Sequence, residues 1–302
     1  MRAAVIGIGS NSVRMLVADV QGGDLLKVLR DREGTRLFGG LKEDGNLSQE
    51  SMALTLHAVR AMQRKAIKLN ADIVHLFATS AVRDAGNQQE FSSLIRKETG
   101  LELEICSGES EAALSFLGST FGSRSGVIDI GGGSTEYVIG CGPSIECGVS
   151  LQMGAVRLFR LYPIQSRADV PQVLEAAVKI MNDGLGPLMA AGLPGDWVGV
   201  GGTFTALAGI LNGIPWTEKT QLHGYPLVKN HVEEWLYRLA DMSLEQRLAL
   251  PGLQPQRADI MAHGTAILAA SMRNLKIESI QVSEFGNLDG YLKQKYIHRA
   301  AL

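Results

Sequence analysis

The sequence predicts an α/β protein of two similar lobes facing across a cleft, and three observations carry that prediction. The first is the stretch Val127–Ile139. A β-branched run, Val127–Ile130, ends in Gly131, Gly132 and Gly133, then Ser134 and Thr135, and a second β-type run, Tyr137–Ile139, follows at once. This reads as strand, tight turn, strand. The second is a repeat of that stretch: shifted by 129 − 7 = 122 residues, Val5–Val17 falls on Val127–Ile139 with apolar, glycine and serine positions in step. The third is the alternation of strand and helix patterns along the chain.

Glycine belongs where bare backbone N–H groups must wrap a phosphate. The expected phosphate ligands are therefore Gly9, Ser10, Asn11 and Ser12 in the first loop, and Gly131, Gly132, Gly133, Ser134 and Thr135 in the second. Asp129 just before the second turn and Glu136 just after it would set hard oxygen ligands for Mg²⁺ beside that cradle, which points to phosphate chemistry. Each residue also has a plainer reading. Asp129 can cap the turn, Glu136 can face solvent, and the hydroxyls can bond their own backbone. A third glycine pair, Val198-Gly-Val-Gly-Gly-Thr203, has a different form, strand-Gly-Gly-helix, and two glycines there also suit close helix–strand packing.

Taken in order, Met1–Val20 reads as a hairpin and Leu25–Arg36 as further strand, ending at Leu37–Leu41. Ser48 can cap a helix whose stripe is Met52, Leu56, Val59, Met62 and Ala66. Ile73–Ala78 is a strand that runs into Thr79–Asp84. Asn87 with Glu90 resembles a capping box, and Gly100 ends that helix. Leu101–Cys106 is a strand feeding a helix that opens at Ser107–Ala112. The break at Phe121–Arg124 is the expected crossover to the second lobe. Pro171 suits a helix start, with Leu174, Ala177, Val178 and Met181 inward. Asn230 with Glu233 caps another helix, Gln256–Leu275 is a long one, Ile277–Ser283 a last strand and Asp289–Ala300 a terminal helix.

At 302 residues, 45% hydrophobic and 20% charged, the chain has the composition of a globular protein of two lobes. A net charge of −2 with no lysine/arginine stripe argues against nucleic-acid binding. No segment is apolar enough for a membrane span or a secretory leader, so the cytoplasm is the expected compartment. Cys106, Cys141 and Cys147 are an odd number and read as free thiols, although Cys141 and Cys147 flank a turn and could face across a hairpin. The six histidines show no metal-ligand spacing.

Six strings occur in order: Ile8-Gly-Ser-Asn-Ser-Val-Arg14, Ala78-Thr-Ser-Ala-Val-Arg-Asp-Ala85, Ser107-Gly-Glu-Ser-Glu-Ala112, Asp129-Ile-Gly-Gly-Gly-Ser-Thr-Glu136, Gly154-Ala-Val-Arg-Leu158 and Gly201-Gly-Thr203. Together they resemble the exopolyphosphatase and guanosine-pentaphosphate phosphohydrolase family over nearly the whole chain. The resemblance implies the actin, hexokinase and Hsp70-like superfold, with two ribonuclease-H-like lobes and the site in the cleft. The expected lobes are 1–121 with a C-terminal helix at about 288–302, and 122–287. It implies hydrolysis of a terminal phosphoanhydride with Mg²⁺ or another divalent cation. Glu111 is then the general base, in place of an acidic residue that merely complements a helix dipole. Arg83 and Arg157 match arginines that neutralise phosphate, Arg14 and Arg36 are open to either reading, and Gly201, Gly202 and Thr203 resemble a loop that approaches a nucleoside or distal phosphate.

Longer relatives carry a further helical domain absent here, which favours short inorganic polyphosphate chains. Guanosine pentaphosphate is the alternative substrate, and a sensor that binds guanosine tetraphosphate or polyphosphate with little turnover is the alternative of another class. A sugar or acetate kinase is the residual reading of the superfold. Homodimerisation is a family option that no apolar stripe here demonstrates. Three positions depart from the family pattern: Gly7 stands where a metal-holding Asp is usual, Ser110 where many relatives have Glu, and Leu288 where an Arg is usual.

Overall fold

The computed structural model describes residues 1–42, 44–120, 122–217 and 222–297. The chain divides into two compact units, Met1–Gly118 with Asn287–Leu302, and Ser119–Gly286. The first unit holds β1 (Arg2–Ile8), β2 (Ser12–Gln21), β3 (Asp24–Gly34), β4 (Ile73–Ala78) and β5 (Glu104–Ile105), with helices α1 (Gln49–Lys68), α2 (Ser80–Arg83), α3 (Gln88–Thr99) and α4 (Gly108–Ser119). Its sheet runs β3-β2-β1-β4-β5, antiparallel through the two hairpins and parallel from β1 to β4 to β5. β1 is buried from Ala3 to Ile8, as a central strand covered on both faces must be.

The second unit repeats the plan. It contains β6 (Arg124–Ile130), β7 (Thr135–Cys141), β8 (Ser144–Leu151), β9 (Asp196–Val200), β10 (Pro226–Val228) and β11 (Ser279–Ser283). Its helices are α5 (Ala155–Leu161), α6 (Val170–Gly184), α7 (Gly186–Ala190), α8 (Gly202–Asn212), α9 (Lys229–Asp241), α10 (Leu244–Leu248) and α11 (Met261–Asn274). The sheet order β8-β7-β6-β9-β11 matches that of the first unit, with β10 added antiparallel at the edge. The repeat extends to its irregularities: the register shifts between Val17 and Ala18 on β2, and between Ile139 and Gly140 on β7, again 139 − 17 = 122 residues apart. A bulge conserves its place because it sets the local twist of the strand. The last helix, α12 (Asn287–Tyr296), packs on the first unit, where Leu288, Tyr291 and Leu292 join a core with Val5, Leu16 and Phe77. Both units are ribonuclease-H-like lobes of the actin, hexokinase and Hsp70-like superfold.

Several elements differ in detail from the sequence reading. Asn87 stands at the N-cap position of α3, as expected, but makes no side-chain capping bond; its side chain is recruited by the loop before α1, Oδ1 accepting from Leu47 N–H at 2.8 Å and Nδ2 donating to Leu47 O at 3.1 Å. Asn230 lies inside α9, whose cap position is Val228, and Glu233 pairs with Arg273 at 2.7 Å instead. The expected helix Gln256–Leu275 is a 3-10 turn at Pro255–Arg257 and then α11, because successive i to i+3 bonds from Arg257, Ala258 and Ile260 replace α-helical spacing. The strand expected over Leu101–Cys106 pairs only at Glu104–Ile105. Cys141 stands opposite Ser144 and Cys147 opposite Ile139, so the thiols do not face each other, and all three cysteines are free. Phe121 of the expected crossover and residues 298–300 of the expected last helix lie outside the described residues. Among the described residues no helix is long and apolar enough to cross a membrane.

Candidate active site

In the first unit the turn between β1 and β2 is closed by Gly9 N–H donating to Ser12 O at 3.0 Å. Its carbonyls are taken up by the segment after β3: Asn11 O accepts from the N–H groups of Thr35 and Arg36 at 3.2 and 3.1 Å, and Ser10 O from Phe38 N–H at 2.9 Å. Arg36 takes a left-handed conformation there, φ 50°, uncommon for a residue with a side chain. With the carbonyls occupied, no acceptor is found among the described residues for the N–H groups of Ser10 and Asn11. Ser10, Asn11 and Ser12 are buried, and Asn11 Nδ2 has no partner.

The same turn is tied to the catalytic candidates. Ser10 Oγ shares a 2.9 Å hydrogen bond with Ser80 Oγ at the start of α2. α2 ends in Arg83, whose Nη1 donates to Glu111 Oε2 at 3.0 Å and to Cys106 O at 3.1 Å, while its Nη2 is buried without a partner. Glu111 sits in the first turn of α4 with 6% of its surface exposed. Ser107 Oγ holds that helix start by accepting from Ser110 N–H at 3.1 Å. The carboxylate is thus oriented from one side by a charge-assisted bond and from below by its helix.

In the second unit Gly131 N–H donates to Ser134 O at 3.0 Å, closing the turn between β6 and β7. Here the carbonyls dock on the start of α5: Gly131 O accepts from Ala155 N–H, and Gly132 O from Val156 and Arg157 N–H, at 2.9–3.0 Å. Gly154 permits this, since a Cβ there would lie 2.3 Å from Gly132 O. Arg157 completes the clamp, its Nε donating to Gly133 O at 2.7 Å and its Nη2 to Gln152 Oε1. Thr135 is not free to bind a ligand through its proton, because its hydroxyl donates to Met153 O. Ser134, by contrast, is 1% exposed and its Oγ has no partner. Among the described residues, no acceptor is found for the N–H groups of Gly132 and Gly133.

Asp129 and Glu136 are register partners across β6 and β7, so their side chains leave the same face of the sheet. Both are buried, and Glu136 Oε1 accepts from Ser150 Oγ at 2.7 Å. Like charges directly opposite destabilise a sheet, and a divalent cation beside them would offset that. Among the described residues, no group of three or more His, Cys, Asp or Glu is assembled for a metal. Two carboxylates could hold a hard cation only if water or substrate oxygens supplied the remaining ligands.

The third glycine pair splits by residue. Gly201, at φ 104°, lies against the second hairpin: a Cβ there would be 2.9 Å from Ile130 O and 3.1 Å from Asp129 Oδ1. Gly202 and Thr203 face packing partners, Arg257 and Gly264, which a Cβ at residue 202 or 264 would strike. Sequence reasoning missed four contributors. Thr35, beside Asn11, has a buried hydroxyl without a partner; Ser80 binds Ser10; Gly154 admits the second turn; and Arg257 covers Gly202. Ser80 and Gly154 stood inside strings already singled out, whereas nothing local marks Thr35 or Arg257.

The Ppx/GppA phosphatase family model matches residues 16–296. Exopolyphosphatase 2 of Mycobacterium tuberculosis is 31% identical over 310 residues, covering 96% of this chain and 97% of that one. The crystal structure of the Aquifex aeolicus Ppx/GppA family member superposes with a TM-score of 0.82 at 27% identity, covering 100% of this chain and 99% of that one. An exopolyphosphatase structure from Cytophaga hutchinsonii gives 0.86 at 25% identity over 98% of each chain. The match over nearly the full length settles the assignment, and the closed glycine turns, the oriented carboxylate and the acidic strand pair accord with it: the chain belongs to the Ppx/GppA phosphatase family and is a phosphoanhydride hydrolase.

Proposed function

We propose that the chain releases the terminal phosphate of inorganic polyphosphate, with short chains favoured. The observation that supports this reading is that, among the described residues, each unit keeps buried donors without a protein partner: Asn11 Nδ2 and Arg83 Nη2 in the first, Ser134 Oγ in the second, each with the N–H groups of its own turn. A buried donor without a partner costs about 1–3 kcal/mol, and phosphate oxygens are the ligand that would satisfy donors of this kind. Glu111 accepts a proton from the attacking water as its oxygen bonds to the terminal phosphorus. The bond from that phosphorus to the bridging oxygen breaks, and the shortened chain leaves with the electron pair. Arg83 holds Glu111 and meets phosphate charge, and Arg157 keeps the second turn in shape. Asp129 and Glu136 are the residues that would hold a divalent cation, which when bound would neutralise phosphate charge.

The test is phosphate release from polyphosphates of graded length and from guanosine pentaphosphate, each with and without Mg²⁺. The reading expects Mg²⁺-dependent release that is fastest on short polyphosphate. Faster release from guanosine pentaphosphate would move the same chemistry to that substrate. Tight binding of polyphosphate or guanosine tetraphosphate with negligible release would make the chain a sensor, the reading that Gly7 and Leu288 keep open.

A further inference from the structure

The two hairpins share a backbone and differ at one pair of positions. Asp129 and Glu136 face each other across β6 and β7; the corresponding pair 122 residues earlier, across β1 and β2, is Gly7 and Arg14. The space for a side chain at residue 7 is filled. A Cβ there would lie 3.0 Å from Leu288 Cδ2 and 3.0 Å from Phe77 Cζ. Leu288 and Phe77 are both buried, and the Phe77 ring stacks on Tyr291 with centroids 5.1 Å apart, so a side chain at residue 7 would have to displace packed neighbours. Arg14 is tied to the same helix, its Nη2 donating to Asn287 Oδ1 at 3.1 Å. A cation approaching this pair meets an apolar plug and a guanidinium where the second hairpin offers two carboxylates.

We propose that α12 closes the first hairpin to divalent cations, Leu288 by filling the space at Gly7 and Arg14 by its charge, so that the cation requirement is carried by the Asp129–Glu136 hairpin alone. The residues at 7 and 288 are then a matched pair, the leucine side chain occupying the space that a Cβ at residue 7 would enter. This inference rests on the hydrolase reading only in that a cation is used at all, and its test contains no substrate.

The probe is Mn²⁺ alone and the readout is thermal unfolding of the full chain. Gly7→Asp is expected to lower the melting temperature by several degrees, since a carboxylate must enter an overpacked apolar space. Gly7→Asp/Leu288→Ala is expected to recover at least half of that loss and to gain a Mn²⁺-dependent rise in melting temperature larger than the parent's. Adding Arg14→Gln should enlarge the rise again. A Gly7→Asp chain that melts with the parent, or a double variant whose Mn²⁺ response equals the parent's, overturns the proposal. If neither aspartate variant folds, Gly7→Ala decides: it should cost stability in the parent and less in a Leu288→Ala background. Equal losses in the two backgrounds overturn the closure. Failure of phosphate release with these melting results intact would count against the proposed function and leave this inference standing.

Discussion

The hairpin of the first unit and the hairpin of the second are the same piece of backbone used for different chemistry. Both close with a glycine N–H donating to a serine carbonyl at 3.0 Å, both carry a register shift at the repeated position, and both spend their turn carbonyls on a neighbouring segment. The segments differ. A 3-10 turn at Leu37–Gly40 and the residues before it brace the first turn, whereas the start of α5 braces the second. The strand ends differ more, glycine and arginine in one against two carboxylates in the other. A duplicated motif thus keeps its backbone, with the closed turn and its unpaired amides, and varies the side chains at the strand ends.

Substitutions at the differing positions break this comparison most sharply. Asp129→Asn is expected to lower phosphate release by roughly 10³-fold at limiting Mg²⁺, the loss of several kcal/mol of charge stabilisation, and to raise the Mg²⁺ concentration needed for half-maximal rate. Arg14→Gln should leave that Mg²⁺ dependence unchanged. Kinetics at graded Mg²⁺ separate the two. Next in size is the brace peculiar to the second turn: Gly154→Ala sets a Cβ 2.3 Å from Gly132 O. It should destabilise the chain by about 1–3 kcal/mol, read in a urea titration; in the first turn Gly9 would set a Cβ at a looser 3.1 Å from Ser12 O.

A smaller pair of changes tests what the turns share. Ser134→Ala removes a buried hydroxyl, and Asn11→Ala a buried amide nitrogen, that has no partner among the described residues. Each should therefore hold or raise stability while weakening tripolyphosphate binding by about 1 kcal/mol, or five- to tenfold. Melting curves and calorimetry on the same preparations check both halves, and loss of stability together with affinity would show a merely structural role.

A pH dependence should also arise within the second unit. His263 Nε2–H donates to Tyr162 O at 2.9 Å at the end of α5, with Nδ1 buried and unpartnered. Burial pushes its pKa down to about 4, the Tyr162 carbonyl opposing and Arg247 assisting. The folded state thus disfavours protonation. Stability is complete above the ordinary imidazole value of 6.5, falls as pH drops from there toward about 4, and changes no further through this group below that. Urea titrations at pH 7 and pH 5 should show the decline, and His263→Gln should remove it.

Much of this was legible in the chain because the duplicated feature is local. β-Branched runs bounded by glycine and serine specify a hairpin from a dozen residues, and the 122-residue offset holds down to the bulges. Glu111 and Arg83 were legible as separate residues, and the 3.0 Å bond between them joins positions from two such strings. What could not be read is set by distant packing. Leu288 fills the space at Gly7 across 288 − 7 = 281 residues, and Arg257 covers Gly202, contacts that no window of sequence contains. Asn87 shows the same limit: its local pattern places it correctly at the start of α3, but Leu47 takes its side chain with two backbone bonds in place of the capping bond.

In the proposed reaction Glu111 activates water and does not itself hold the phosphate chain, so binding and turnover should separate at that residue. Tripolyphosphate binding and phosphate release should be measured on Glu111→Gln beside the parent. The expected result is a dissociation constant within about twofold of the parent's and release lowered by roughly 10²–10⁴-fold, the usual worth of a general base. Release at the parent's rate would contradict it.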